Sequence, residues 1–212
     1  MKKKGPGGRP IASRTGEVDA RILDAATALF LAHGFDGTTF DHVAELARAG
    51  KTSIYARFHD KEALFIAVVR RSVERTFART AHVSTEVSLR DRLVAVGLSI
   101  LEQSLVPDVI SLMRVVIAEA GRRPAIATHA NTIGYEQSVR RVAEVIAARP
   151  ASEDAIERAT QIASKFVELI FLPILMHALM GRDADGLRSE APRRVSEAID
   201  LLEASNVLSG WS

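Results

Sequence analysis

The chain has 212 residues, 47% of them hydrophobic and 25% charged, with a formal net charge of +2. That balance is the one of an ordinary globular protein and excludes a disordered one. Cysteine is absent, which excludes disulfides, thiolate metal sites and cysteine nucleophiles, and suits a reducing cytoplasm.

Charge is unevenly spread. Residues 1–81 carry 14 Lys and Arg against 9 Asp and Glu, and residues 82–212 carry 14 against 17. A basic N-terminal third on an acidic remainder points to a polyanion met by the first part alone. No strand-like alternation persists, so the expected class is all-α. The most apolar stretch, Leu169 to Met180, is shorter than the ~20 residues a membrane span needs and reads as a buried core helix.

Residues 1–14 hold Lys2, Lys3, Lys4, Arg9 and Arg14, no acid, and Gly5, Pro6, Gly7, Gly8 and Pro10. They read as a flexible basic arm. Gly8-Arg9-Pro10 resembles the core of an AT-hook, in which an arginine lies in the minor groove, although that motif's outer arginines are missing. A helix is expected from about Glu17 to His33, with Ile22, Leu23, Ala26, Leu29 and Phe30 as its stripe and Gly34 as its terminator. Thr38 and Asp41 have capping-box spacing for the next helix, with Thr39 as the alternative cap.

From Thr38 to Glu62 the pattern is a short helix, a tight turn, a second short helix and the start of a long one. Phe40, Val43, Ala44, Leu46 and Ala47 recur at helical spacing, and Ile54 and Phe58 share a face four residues apart. Two amphipathic helices joined by so few residues make a helix-turn-helix. The other face of the second helix offers Lys51, Thr52, Ser53, Tyr55 and Arg57, all hydrogen-bond donors and none acidic. That is the inventory needed for phosphates and base edges in a major groove.

The run GRP, ILDAATALFLAHGFDGTTFDHVAELA and GKTSIYARFHDKEALF resembles the DNA-binding domain of the TetR family of transcriptional regulators over residues 8 to 70. The resemblance implies a three-helix DNA-binding domain over 15–62 and a ligand-binding and dimerisation domain over 63–212. Residue by residue, it makes Thr39, Tyr55 and Lys61 phosphate contacts, and Lys51, Thr52, Ser53 and Arg57 groove contacts. The chain departs from the family through the turn, where Ala-Gly-Val-Ser-Lys is replaced by Ala47-Arg48-Ala49-Gly50-Lys51. Arg48 is strained if that position is left-handed, and can add a contact to the DNA backbone. Gly50 is a weaker N-cap than the family's serine.

Gly50-Lys51-Thr52 also matches the end of a P-loop. The leading glycine would fall at Glu45, however, and the preceding segment is an amphipathic helix instead of a strand. A helical nucleotide-binding enzyme is therefore the remote alternative. No HxxxH pair or GxSxG elbow supports catalysis, and neither metal nor cofactor is expected.

Further on, Asp60 caps a long helix with Leu64, Phe65, Val68, Val69, Val73 and Phe77 as its stripe. Ser88 and Asp91 form a capping box for a helix ending near Leu105. Pro107 starts the next, which Gly121 ends. Pro124 begins a segment to Arg149, and Ser152 caps a helix to Met180 in which Pro173 is expected to make a kink. Pro192 opens a last helix ending near Ser205. These make an antiparallel bundle.

Met113, Ile117, Tyr135, Phe166, Phe171, Met176 and His177 are candidates to line a ligand cavity, with Tyr135 and His177 as polar handles; the alternative is that they are plain core. The resemblance implies a homodimer formed through the last two helices, a double-stranded DNA operator and a small apolar or amphipathic effector. The expected protein is a cytoplasmic, effector-released repressor. Its alternative is a DNA-binding regulator without an effector, constitutive or controlled by a protein partner.

Overall fold

The computed structural model describes residues 11–77, 87–147 and 152–211. The arm, Arg9 and the AT-hook-like tripeptide lie outside the described residues. Among these residues all regular structure is helical: α1 (Ile11–Gly37), α2 (Phe40–Ala47), α3 (Lys51–Tyr55), α4 (Lys61–Phe77), α5 (Leu89–Ser104), α6 (Pro107–Ala120), α7 (Pro124–Asn131), a π-helical turn (Thr132–Glu136), α8 (Gln137–Ala147), α9 (Glu153–Leu179) and α10 (Ala184–Ala204). The chain divides into two compact units, 1–68 and 69–212.

In the first unit α1 begins at Ile11, earlier than expected, and its helical path breaks at Gly34, where φ is 69°. A side chain would be strained at that angle, so glycine sets where the helix proper stops. Thr39 caps α2: its hydroxyl oxygen accepts from the His42 amide at 3.2 Å. Thr38, the other candidate, is fully buried, and its hydroxyl donates to the Gly34 carbonyl at 2.8 Å. Ile22, Ala26, Phe30, Val43, Ile54, Leu64 and Phe65 fill the core. Phe65 meets Phe30 and Phe35 edge-on at 4.8 and 5.7 Å, the geometry aromatic quadrupoles favour. Leu46 does not join this core. It is exposed, because a helix of only two turns has room for Val43, Ala44 and Ala47 on its inner face and Leu46 points elsewhere.

In the second unit α9 is the central helix. Ala159, Ile162, Ala163, Phe166, Val167, Ile170, Ile174 and Ala178 are buried, and the helix runs through Pro173 without interruption. Its 27 residues make it, by length and composition, the one helix among the described residues able to cross a membrane by itself. The stretch from Leu169 to Met180 is part of this longer helix and, as expected, packs into the bundle through Ile170, Ile174 and Ala178. Gly97 on α5 allows the close approach needed there, since a Cβ at that position would stand 3.0 Å from the Phe166 ring and 3.1 Å from Val195 on α10.

The last helix starts earlier than the Pro192 expectation. Asp183 caps it by accepting from the Gly186 amide at 2.7 Å, and Pro192 lies well inside it. The buried stripe Leu187, Ala191, Val195, Ala198, Ile199 and Leu202 continues across the proline. Burial of side chains at ~1.5–3 kcal/mol each outweighs the ~3 kcal/mol an interior proline costs. The 124–149 segment is not one α-helix either, because the π turn interrupts it at Thr132–Glu136.

Candidate nucleic-acid interface and bundle cavity

The tight turn between α2 and α3 is built on Arg48, which adopts φ 49° and ψ 46° and closes α2 by donating its backbone N–H to the Ala44 and Glu45 carbonyls. The left-handed conformation anticipated for this position is therefore present in a non-glycine residue. Gly50 follows in extended backbone and caps α3 without a side-chain bond. Beyond Tyr55 the chain turns, so the recognition helix is five residues long. Ile54, fully buried, anchors it.

Around that anchor Thr39, Arg48, Lys51, Thr52 and Tyr55 are exposed. Tyr55 is 58% exposed, and its ring stands edge-on to Phe40 at 5.0 Å, which fixes the ring while leaving the hydroxyl outward. The Lys51 ammonium lies 2.7 Å from Asp41, and this hydrogen bond holds its pKa above the ordinary value, so it stays cationic. Both partners are largely exposed, and such a pair is weak enough to yield to a phosphate. Lys61 is half-buried; its ammonium reaches the Asp36 carbonyl at 3.3 Å and lies 4.6 Å from the centre of the Phe35 ring.

Two of the expected groove contacts sit differently. The Arg57 guanidinium binds Asp19 of α1 through Nε and the Ser53 carbonyl through Nη1 at 2.8 Å. With its side chain 24% exposed, Arg57 clamps the recognition segment to α1 instead of projecting from it. Ser53 is half-buried beside it and supplies the clamp's carbonyl. Sequence reasoning missed Asp19 because 38 residues separate it from Arg57 and no periodicity links them.

The second unit contains a cavity of about 270 Å³ between α4, α5, α6, α7, the π turn, α8 and α9. Met113, Tyr135 and Phe171 line it; Ile117, Phe166, Met176 and His177 do not. Phe166 is fully buried in the core, while Ile117 and Met176 are each 54% exposed. His177 is exposed near the C-terminal end of α9. Helical periodicity groups these residues but does not tell an inner face from one left to solvent. Nor is Tyr135 a handle offered to the cavity. Its hydroxyl pairs with Ser164 Oγ at 2.7 Å and donates to Glu168 Oε1 at 2.8 Å, both on α9. Burial holds its pKa above the ordinary tyrosine value, so it remains neutral.

A helix-turn-helix with exposed donors, followed by a helical bundle holding an apolar cavity, is the architecture of a DNA-binding regulator. A profile of bacterial regulatory proteins of the tetR family matches residues 22–68, and one of the AefR-like transcriptional repressor C-terminal domain matches residues 91–205. The chain belongs to the TetR family of transcriptional regulators, and is a helix-turn-helix repressor and not an enzyme. Among its relatives are the transcriptional repressor AcnR of Corynebacterium efficiens, 27% identical over 94% of this chain and 95% of its own, and the repressor Rv1474c of Mycobacterium tuberculosis, 25% identical over 87% and 90%. Solved structures with the same fold include a TetR-family regulator from Mesorhizobium loti (TM-score 0.68, 22% identity, 89% and 98% covered). The flavonoid-responsive regulator FrrA (0.69, 22%, 89% and 96%) and a Saccharomonospora viridis regulator in complex with choline (0.57, 23%, 89% and 96%) share it too.

Proposed function

We propose that this protein is a cytoplasmic homodimer that represses by binding a near-palindromic operator and lets go when a small molecule occupies the bundle cavity. The observation that carries the DNA half is the exposed cluster of Thr39, Arg48, Lys51, Thr52 and Tyr55 around the short recognition helix. Tyr55, Thr39 and Lys61 meet phosphates, and so does Lys51, which was expected in the groove but stands largely exposed as the first residue of α3; Thr52 meets base edges, and Arg57 and Ser53 keep α3 in place. Two such units, one from each protomer, fit successive major grooves about one helical turn apart.

Dimerisation is supported by a stripe on α9: Leu169, Leu172, Met176 and Met180 recur at three- and four-residue spacing and are exposed, as is Leu201 on α10. An apolar stripe of this kind suits a self-complementary interface across a two-fold axis. The effector half is supported by the cavity itself and by two neighbours of the same fold, one named as flavonoid-responsive and one bound to choline. Within the chain, α4 starts at Lys61 in the DNA-binding unit and continues to Ser72 and Val73 on the cavity wall. A ligand acts through this helix only as far as it prefers one of two α4 positions, since equal affinity for both shifts nothing.

Fluorescence anisotropy of genomic promoter fragments, with and without a metabolite extract, tests both halves. Saturable binding relieved by the extract is expected. Binding that no extract component relieves would leave a DNA-binding repressor without an effector, and a monomer that binds no duplex would remove the proposal.

A further inference from the structure

The cavity has a chemical character that narrows what can fill it. Among the described residues no Lys, Arg, His, Asp or Glu side chain lines it, and the ionisable group that does, Tyr135, is held neutral. A charge placed against this wall would give up part of its hydration with no counter-ion to replace it. The polar side chains on the wall are Ser72, Gln103, Ser104, Asn131 and Ser138, with Tyr135 contributing its ring. Several of them already give their hydrogens to the protein. Ser104 donates to the Ile100 carbonyl at 2.7 Å and Ser138 to the Gly134 carbonyl at 2.9 Å. The Gln103 amide donates to Ser99 at 2.9 Å, and Tyr135 donates to Glu168. A serine hydroxyl that donates once keeps lone pairs with which to accept, so Ser104 and Ser138 offer acceptors.

Shape adds a second constraint. A cavity of about 270 Å³ lies just below the ~300–1,000 Å³ of drug-sized ligand pockets, which suits a small ring compound. Phe171 and Tyr135 supply aromatic walls. The π turn brings Gly134, Tyr135 and Ser138 onto the lining face, and a Cβ built at Gly134 meets nothing within 4 Å. Such turns recur at functional sites because the wider coil re-aims side chains.

We infer that the effector is a neutral, largely apolar ring compound, about the size of a bicyclic aromatic, carrying an O–H or N–H that it donates to Ser138 or Ser104. This rests on the effector reading above and specifies its chemistry.

Four naphthalenes that share one ring system and differ in one substituent make the test: 1-naphthol, 1-methoxynaphthalene, 1-naphthoate and (1-naphthylmethyl)ammonium, titrated into the full-length protein by calorimetry at pH 7. Naphthol is expected to bind once per chain, about tenfold tighter than the ether, which lacks the donor, and at least about tenfold tighter than either ion. Gly134→Leu fills the free space and should abolish naphthol binding while leaving the circular dichroism melt in place. Ser138→Ala should bring naphthol down to the level of the ether. Gln103→Glu, nearly the same shape, should raise the ammonium probe above naphthol. An ion that binds wild type as tightly as naphthol overturns the neutral class but leaves an effector cavity standing. An ether equal to naphthol overturns the donor requirement. If no probe binds, or binding ignores Gly134→Leu, the inference falls, while the effector reading stands or falls with the relief of promoter binding by the metabolite extract.

Discussion

The helix-turn-helix unit and the bundle put their functional surfaces in opposite settings. In the first, the surface is polar and exposed, and it stands on the shortest α-helix among the described residues, pinned by the single buried side chain of Ile54. In the second, it is an apolar hollow next to the π turn at Thr132–Glu136. The contrast agrees with the function proposed for each surface. Phosphates and base edges call for donors held out in water, whereas a small neutral effector calls for an apolar wall.

That difference can be broken or sharpened by substitution. The largest effect is expected from Phe166→Ala against Phe171→Ala, two aromatics five positions apart on α9. Phe166 is fully buried and its loss should cost ~3–5 kcal/mol in urea-monitored unfolding. Phe171 faces existing empty space, so its truncation should cost clearly less while weakening ligand binding more. Equal costs would mean that the cavity wall packs like the core.

Next comes Arg57. As a clamp, its replacement by alanine should destabilise the first unit by ~1–3 kcal/mol and weaken binding to all duplexes alike, with the base preference retained. Asp19→Ala should do much the same, and the double variant should fall short of the sum of the two. A changed base preference in Arg57→Ala would return Arg57 to the groove. Arg48→Gly goes the other way. Relief of the left-handed strain should stabilise the fold by ~1 kcal/mol, read as a rise in Tm, while any phosphate contact of Arg48 is lost. The smallest effect is that of Lys51→Ala, which should lower the slope of log affinity against log salt by ~1 with little change in stability.

How much of this was legible in the sequence follows the same divide. Lys51 and Thr52 stand out because exposed donors on an otherwise amphipathic helix pair have no packing reason to be there, whereas Thr39 also caps α2 and Tyr55 also meets the Phe40 ring. Arg48 was legible as a departure in a known turn, and the turn bears it out in its φ of 49°. The pairing of Arg57 with Asp19 was not legible, because the two meet only through tertiary structure. In the bundle the residues of a cavity wall and of a core share one chemistry and one periodicity. Only the three-dimensional arrangement separates Phe171 from Phe166, or turns the Tyr135 hydroxyl away to Ser164 and Glu168. The capped starts at Ser88 and Ser152 could be read locally, because a cap needs only its own first turn. The start of α10 could not. Pro192 is the stronger local signal, yet the buried stripe on either side of it decides the outcome.

The central claim is that the exposed face of α3 reads DNA. Selecting bound duplexes from a random pool, with wild type and a Thr52→Ala variant side by side, tests it most directly. The account predicts that wild type enriches two inverted half-sites about one helical turn apart, and that the variant keeps this spacing while losing preference at one position in each half. Enrichment of no duplex by wild type, or an identical motif from the variant, would contradict it.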